Sequence, residues 1–280
     1  RVVSQGINNV TWLPGSRPVS EWQAAVDSAV ARINAGELDK VVLARDIVAQ
    51  LDEPIHIGAL LIRLNESFPE CWTFCVDGLV GATPELLIRR DGEHVTSRVL
   101  AGTMRRSRDT DRDGQLAAEL LDSDKDQEEH VYAVESVAAA LATHCTDLNV
   151  PERPFILRLA NVQHLATDVT GELVDAAPAL ALAASLHPTA AVCGTPTERA
   201  THVIKELEGM DRGRYSAPVG WLAANGNGEF GIALRCALVE TDDRKTLRLF
   251  AGCGIVAGST GESEVAESQA KFAAMKSALE

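Results

Sequence analysis

No stretch of this 280-residue chain stays apolar for the roughly 18 residues that a membrane-spanning helix needs. Residues 1–20 also lack the apolar block of a secretion signal, so no membrane partner is expected. The six cysteines (Cys71, Cys75, Cys145, Cys193, Cys236 and Cys253) contain no CxxC pair and no dense spacing. That argues against zinc and against a disulfide framework, and it predicts reduced thiols in a cytoplasmic protein. No Pro/Gly/Ser-rich linker, like-charge block, low-complexity segment or fixed-period repeat divides the chain, which therefore reads as one domain over 1–280. Basic residues are scarce: 26 Lys and Arg face 40 Asp and Glu, a net charge of −14. A phosphate backbone would be repelled, so no nucleic-acid partner is expected. An anionic small molecule is not excluded, because a local cluster of Arg, Lys and metal can invert the field inside a pocket. A hydrophobic content of 46% supplies an ample core and excludes intrinsic disorder.

Along the chain, Ser20-Glu21-Trp22-Gln23 has the pattern of a capping box, with a helix over Ala24–Ile33 stopped by Gly36. Lys40–Gln50 alternates and is rich in Val, Ile and Leu, which predicts a strand. Pro54–Asn65 is helical. Asp77-Gly78 and Asp91-Gly92 suit tight hairpin turns after strands at Trp72–Val76 and Leu86–Arg90. Helices are predicted near Gln115–Leu121 and from Lys125 to about Thr143, and a strand over Phe155–Leu165. Thr195-Pro196-Thr197-Glu198 has the pattern of a second capping box, opening a helix to Leu207. A hairpin turning at Asn225–Gly228 joins Val219–Ala223 to Glu229–Val239; a strand over Leu247–Val256 and a helix from about Glu262 complete the chain. Strands in hairpin-joined runs with helices grouped between them predict an α+β fold of largely antiparallel sheets flanked by helices.

Several groups could carry chemistry, each with an ordinary rival. Glu264, Glu267 and Lys271 share one helix face; they are either metal ligands with a cation or the i,i+4 pairs of a solvated helix. The preceding Gly252-Cys253-Gly254-Ile255-Val256-Ala257-Gly258 favours a ligand site, since glycines let backbone approach a ligand. Its spacing is GxGxxxG without a following ribose-binding acid, so a dinucleotide site is rejected. Asp126 and Glu129 share a face of a helix that also carries His130. With the C-terminal carboxylates they would suit Mg²⁺, which takes few protein oxygens. Asp109–Gly114 opens like a calcium-binding loop, but the twelfth position is Leu120 and Glu119 falls one short. Lys40 is a base or a strand-edge lysine. Glu85 is an acid or a surface carboxylate, and His164 a site residue or a satisfied core histidine. Arg235 interrupts an apolar strand, and a half-buried arginine needs an anionic partner.

In order, the segments Lys40–Arg45, Ala82–Val95, Leu100–Arg106, Ser123–His130, Asn161–Leu165, Leu186–Pro196, Gly213–Trp221, Phe230–Ala237, Ala251–Ser259 and Ser263–Phe272 resemble the chorismate-utilising enzymes, and within them the isochorismate synthase branch. The resemblance implies that family's fold and a small-molecule substrate, chorismate. It implies Lys40 as the general base that activates water and Glu85 as the general acid that protonates the departing hydroxyl. Glu129 and Glu267 would hold Mg²⁺, with Asp126 and Glu264 nearby. Gly102, Thr103 and Lys271 would lie by the ring carboxylate. Tyr215, Arg235 and the amide of Gly252 would hold the enolpyruvyl carboxylate, and His164 would line the ring.

Water attack with loss of a hydroxyl needs a base on one face and an acid on the other. A lysine serves as base once its pKa is lowered, a glutamate as acid once its pKa is raised. Family members that aminate chorismate carry a lysine where this chain has Ala101, and they and anthranilate synthases lack the Lys40 base. Both positions imply water as nucleophile and no glutaminase subunit. Salicylate synthases tend to carry threonine where this chain has Ala191, so the reaction is expected to stop at isochorismate, which feeds menaquinone or siderophores. The rival readings are a salicylate synthase, an inactive chorismate-binding relative and a calcium-binding module. A monomer is expected. Only about forty residues precede Lys40, and Arg1 is no initiator methionine, so part of the family's N-terminal region is expected to be missing.

Overall fold

Long, largely buried strands pair into two antiparallel sheets. The computed structural model describes residues 9–240 and 243–280; the remaining positions of the domain read over 1–280 lie outside the described residues. In chain order it forms β1 (Val10–Pro14), α1 (Val19–Asn34), β2 (Lys40–Leu51) and α2 (Ile57–Ser67), then two hairpins, β3 (Trp72–Val76) with β4 (Leu79–Thr83) and β5 (Leu86–Asp91) with β6 (His94–Arg105). Helices α3 (Thr110–Leu121) and α4 (Asp124–Leu141) follow, then β7 (Cys145–Asn149), β8 (Phe155–Arg158), β9 (Val162–Leu173) and α5 (Ala179–Leu186). The chain continues through β10 (Gly194–Thr195), α6 (Thr197–Leu207), β11 (Pro218–Leu222), β12 (Gly228–Ile232), β13 (Cys236–Val239), β14 (Thr246–Ile255) and α7 (Gly261–Leu279).

The first sheet runs β1-β2-β14-β13-β4-β3, with β10 also pairing β2; the second runs β11-β12-β5-β6-β9-β7, with β8 also pairing β9. The β2–β14 ladder is long, from Val41 opposite Ile255 to Gln50 opposite Thr246. Its period of two puts the odd-numbered residues of both strands on one face, which two groups of helices cover in turn. Val41, Leu43, Cys253 and Ile255 pack with Trp22 and Val26 of α1 and Val203 of α6. Leu247, Leu249 and Ala251 meet Leu60 and Leu64 of α2 and Phe272 and Met275 of α7. On the second sheet, Val95, Val99 and Val169 bury against Ala133, Val137 and Leu141 of α4 and Leu182 and Leu186 of α5. A smaller core of Ala44, Tyr215, Ala233 and Phe250 joins the two sheets, with the Tyr215 and Phe250 rings stacked at 5.2 Å. This is the α+β arrangement that the hairpin-joined strand runs predict.

The local differences have physical causes. Neither capping box forms: α1 starts at Val19 behind Pro18 and α6 at Thr197 behind Pro196, without a side-chain cap, and Thr195 belongs to β10. A proline at the N-cap has neither a side-chain acceptor for the first-turn amides nor an N–H for the reciprocal bond, so no box can close there. Asp77-Gly78 does turn the β3–β4 hairpin, with φ of 45° and 81°, the left-handed pair that this turn demands. The strand read over Phe155–Leu165 is two strands, β8 and β9. The strand read over Glu229–Val239 is also two, and they lie in different sheets: the chain leaves β12 at Ile232, passes Arg235 at φ 48° and enters β13. The calcium-type segment is helical instead. Asp109 caps α3 by accepting from the Arg112 amide, and Asp113 is taken by Arg106 and the Ser107 amide.

Trp22 ties α1 to the first sheet: it is buried, and its indole N–H donates to the Ala44 carbonyl at 2.9 Å. Trp22→Phe should destabilise by about 1–3 kcal/mol for the orphaned acceptor, and Trp22→Ala by about 3–5 kcal/mol for the lost packing. Urea unfolding of the two variants checks both values and their order.

Candidate active site

Strand β2 delivers Lys40 into the interior. It is flanked by β10 on one side, so it is no edge lysine, and its side chain has no exposure at all. Its Nζ lies 3.3 Å from Glu129 Oε1 and donates to the Glu129 carbonyl at 3.3 Å. Glu129 comes from α4, whose start is set by Ser123 accepting from the Asp126 amide. Lysine and glutamate can meet there because β14 carries glycine opposite them. A Cβ on Gly254 would stand 1.9 Å from Glu129 Oε1 and 3.0 Å from Lys40 Cε. Two residues earlier, a Cβ on Gly252 would reach Tyr215 Oη at 2.9 Å, and the Gly252 carbonyl accepts from Lys271 Nζ at 2.7 Å.

Glu85 sits in the short link between β4 and β5, where its amide donates to Thr83 Oγ1 at 3.3 Å. It is buried. Burial pushes its carboxyl up to about 8, against the opposing pull of Lys40, Arg235 and Lys271. Arg235 Nη2 donates to His164 Nε2 at 3.0 Å. The other ring nitrogen, Nδ1, lies 3.1 Å from the Gly102 carbonyl and 3.3 Å from Thr103 Oγ1. With Nε2 accepting, Nδ1 carries the proton, and burial next to Arg235 holds the ring neutral, its pKa well below the usual range. His164 is thus a satisfied buried histidine that also lines the site.

The carboxylates gather where α4 meets α7. Glu264 is wholly buried; Oε1 pairs with Lys125 Nζ at 2.6 Å, while Oε2 has no hydrogen-bond partner among the described residues. Burial and the Glu267 charge push Glu264 up to about 7. Glu267 feels the same burial, but its 2.5 Å contact with Lys271 holds it below the usual carboxylate range. Burial raises Asp126, with Glu129 and Glu267 adding to the effect, although Ser123 Oγ donates to it at 2.6 Å. Gly102, at φ 71°, lends its amide to Glu129 Oε2 at 3.3 Å, and a Cβ there would touch Asp126 at 3.0 Å. This is not a solvated helix face. Donor atoms of Cys253, Glu264 and Glu267 lie within 4.8 Å of one another. Burial keeps the Cys253 thiol protonated and it donates to the Glu264 carbonyl, which leaves the oxygens as ligands. An orphaned buried carboxylate oxygen among mutually repelling carboxylates fits a small, hard divalent cation such as Mg²⁺.

The cleft between the sheets is lined by Glu85, Ala101, Gly102, Thr103, Glu129, His164, Ala191, Tyr215, Arg235, Gly252 and Lys271, with Val42, Val192, Arg212 and Gly254 among the others. Lys40, Asp126, Glu264 and Glu267 stand behind that wall. Gly254, Val192 and Arg212 were not singled out from sequence. Gly254 lay in view within the glycine run; Arg212 carried only its i,i+4 relation to Glu208. A second depression, between β3 and β11, is lined by Trp72, Phe74 and Trp221. Its carboxylate, Glu229, is tied to Arg89, and no basic side chain among the described residues lines it, so it does not suit an anion.

The family model described as chorismate binding enzyme matches residues 9–280. Isochorismate synthase DhbC of Bacillus subtilis (strain 168) is 42% identical in an alignment covering 94% of this chain and 69% of that protein. Isochorismate synthase MenF of the same organism is 40% identical over 92% of this chain and 55% of its own length. Among solved structures, a putative 2,3-dihydroxybenzoate-specific isochorismate synthase, DhbC from Bacillus anthracis, superposes with a TM-score of 0.90 at 39% identity, covering 100% of this chain and 76% of that one. The chain thus spans between about half and three quarters of these relatives.

Two measurements test the geometry. Gly254→Ala should destabilise by about 1–3 kcal/mol, the cost of overpacking. Gly258→Ala, whose Cβ would find its nearest neighbour at 3.8 Å, should be close to neutral in the same urea titration. Carbon-13 NMR of the glutamate carboxyls should show Glu85 titrating near 8, and higher still in Arg235→Ala, which removes a cation that stabilises the ionised form.

Proposed function

The chain belongs to the chorismate-binding enzyme family, and on that premise we propose that it is an isochorismate synthase, converting chorismate reversibly to isochorismate. The observation that carries this reading is an acid on the cleft wall and a lysine just behind it: Glu85, buried and protonated near neutral pH, and Lys40, fully buried against the cleft-lining Glu129. In the proposed reaction Lys40 takes a proton from water as the water oxygen bonds to C2. The ring double bonds shift, the C4–O bond breaks, and Glu85 gives its proton to the departing hydroxyl. Arg235, Tyr215 and Lys271 are the donors available to the substrate carboxylates, and His164, held neutral, adds no charge to the ring.

Glu129 and Glu267, with Glu264 and Asp126, would hold Mg²⁺, which supplies positive charge for the ring carboxylate and draws electron density from the conjugated system. Lys271 holds Glu267 ionised, and Lys125 opposes the burial that raises Glu264 and Asp126. Ala101 offers no amine as a nucleophile, so within this proposal the chain acts alone on chorismate, without a glutaminase subunit, and uses water rather than ammonia. Ala191 on the cleft wall supports isochorismate, rather than salicylate and pyruvate, as the product.

The test is purified protein with chorismate and Mg²⁺, products separated by chromatography, with EDTA and ammonium as controls. Isochorismate that disappears with EDTA supports the reading; salicylate with pyruvate, or an aminated product, overturns it. Lys40→Ala and Glu85→Gln should each lower kcat by roughly 10²–10⁴-fold, and near-normal turnover in both would sink the mechanism. Because Glu85 must carry its proton to act, kcat should fall as pH rises through about 8.

A further inference from the structure

Among the described residues, strand β2, which carries Lys40, lacks a strand neighbour along part of one edge. On that edge β10 pairs at Lys40 and Val41, and β1 pairs from Ile47 to Leu51. Between them Val42 and Ala44 present four backbone polar groups, and an open edge of this kind is normally paired or covered. Here each finds a partner outside any ladder. The Val42 amide donates to the Cys193 carbonyl at 2.7 Å, and the Val42 carbonyl accepts from Arg212 Nη2 at 2.8 Å. The Ala44 amide donates to Glu208 Oε2 at 2.7 Å, and the Ala44 carbonyl accepts from Trp22.

Glu208 and Arg212 form one unit. Arg212 Nε and Nη2 grip the two Glu208 oxygens at 2.7 and 2.6 Å, and Nη1 donates to the Val192 carbonyl at 2.8 Å. Glu208 is buried, and the Arg212 side chain is 17% exposed. Arg212 lines the cleft, yet at least four of its five N–H groups are spent on protein, which leaves little to offer a substrate anion. Its fork instead fastens three things that meet at the cleft: β2 at Val42, the wall at Val192 and the end of α6 at Glu208.

We propose that Glu208 and Arg212 act as a side-chain replacement for the missing strand segment, positioning residues that hold the Lys40 strand and the Ala191–Val192 wall in catalytic register. The proposal rests on the reading of Lys40 as the base. The planar fork is essential to it, because one ammonium cannot reach two carboxylate oxygens and two carbonyls at once. Neither residue touches the reacting atoms, so their loss should fall on kcat more than on KM.

Two readouts on the purified full chain separate this proposal from the functional reading. Hydrogen exchange with mass spectrometry, which needs no turnover, compares wild type with Arg212→Lys and with the milder Glu208→Gln. Faster exchange confined to residues 40–46 and 189–194, with other strands protected as in wild type, supports the strut. Unchanged exchange in that segment, or a uniform rise across the chain, overturns it. Steady-state kinetics with chorismate and Mg²⁺ should then show kcat down by roughly 100-fold, the cost of about 1 Å of misplacement, with KM within a few-fold. A loss seen only in KM would overturn the positioning role and assign Arg212 to substrate binding. A wild-type chain without turnover would sink the functional reading alone, and the exchange comparison would still decide the strut.

Discussion

A lysine amine with no solvent exposure needs polar partners, and here Glu129 supplies two, its carboxylate and its backbone carbonyl, each at 3.3 Å. That contact requires a hole in the opposite strand, which Gly254 provides. From this one accommodation much of the site follows. Glu129 faces the cleft with one oxygen toward Lys40 and the other toward the Gly102 amide. Gly102 needs its left-handed backbone to present that amide, and its carbonyl lies against the ring of His164. His164 in turn accepts from Arg235, which lies where the chain crosses between the two sheets. A single side chain placed at Gly254 would push on each of these in succession.

Much of the fold was readable before the structure. Hairpins at Asp-Gly pairs, the alternation of β2 and the grouping of helices predict antiparallel sheets, because turn chemistry and period are local properties. Strand breaks were less readable. Leu157 and Val162 look like one apolar run, and the turn between them is set by tertiary contacts. Phe230 to Val239 reads as a single strand until Arg235 adopts a conformation that no local pattern announces. Helix starts behind Pro18 and Pro196 misled for the opposite reason: Ser and Thr near a helix end suggest a cap, but proline holds the cap position and has no acceptor to offer.

The site was legible in its charged residues and silent in its supports. Arg235 stands out by interrupting an apolar strand, whereas Lys40, Glu85, Glu129, His164, Glu267 and Lys271 are visible as candidates that each have an ordinary rival. The resemblance to a known family gave them roles that spacing alone left open. Gly254, Val192, Glu208 and Arg212 do not stand out, since their importance lies in what they touch. The overall charge of −14 likewise says little about the cleft, where Lys40, Arg235 and Lys271 all act on Glu85. Burial outweighs them there, and the result is an acid that keeps its proton at neutral pH.

The pairing of β2 with β14 joins residues some two hundred positions apart, from Val41 opposite Ile255 to Gln50 opposite Thr246. During synthesis the N-terminal part of a chain emerges first, and contacts of such separation are slow to form. Lys40 therefore leaves the ribosome long before Gly254, Glu267 and Lys271 exist to surround it. Until then a cationic side chain destined for full burial has only solvent or transient partners, and β2 lacks the neighbour that covers its longer edge. The cleft is thus among the last features a nascent chain can acquire, since its wall is incomplete until Lys271 has emerged.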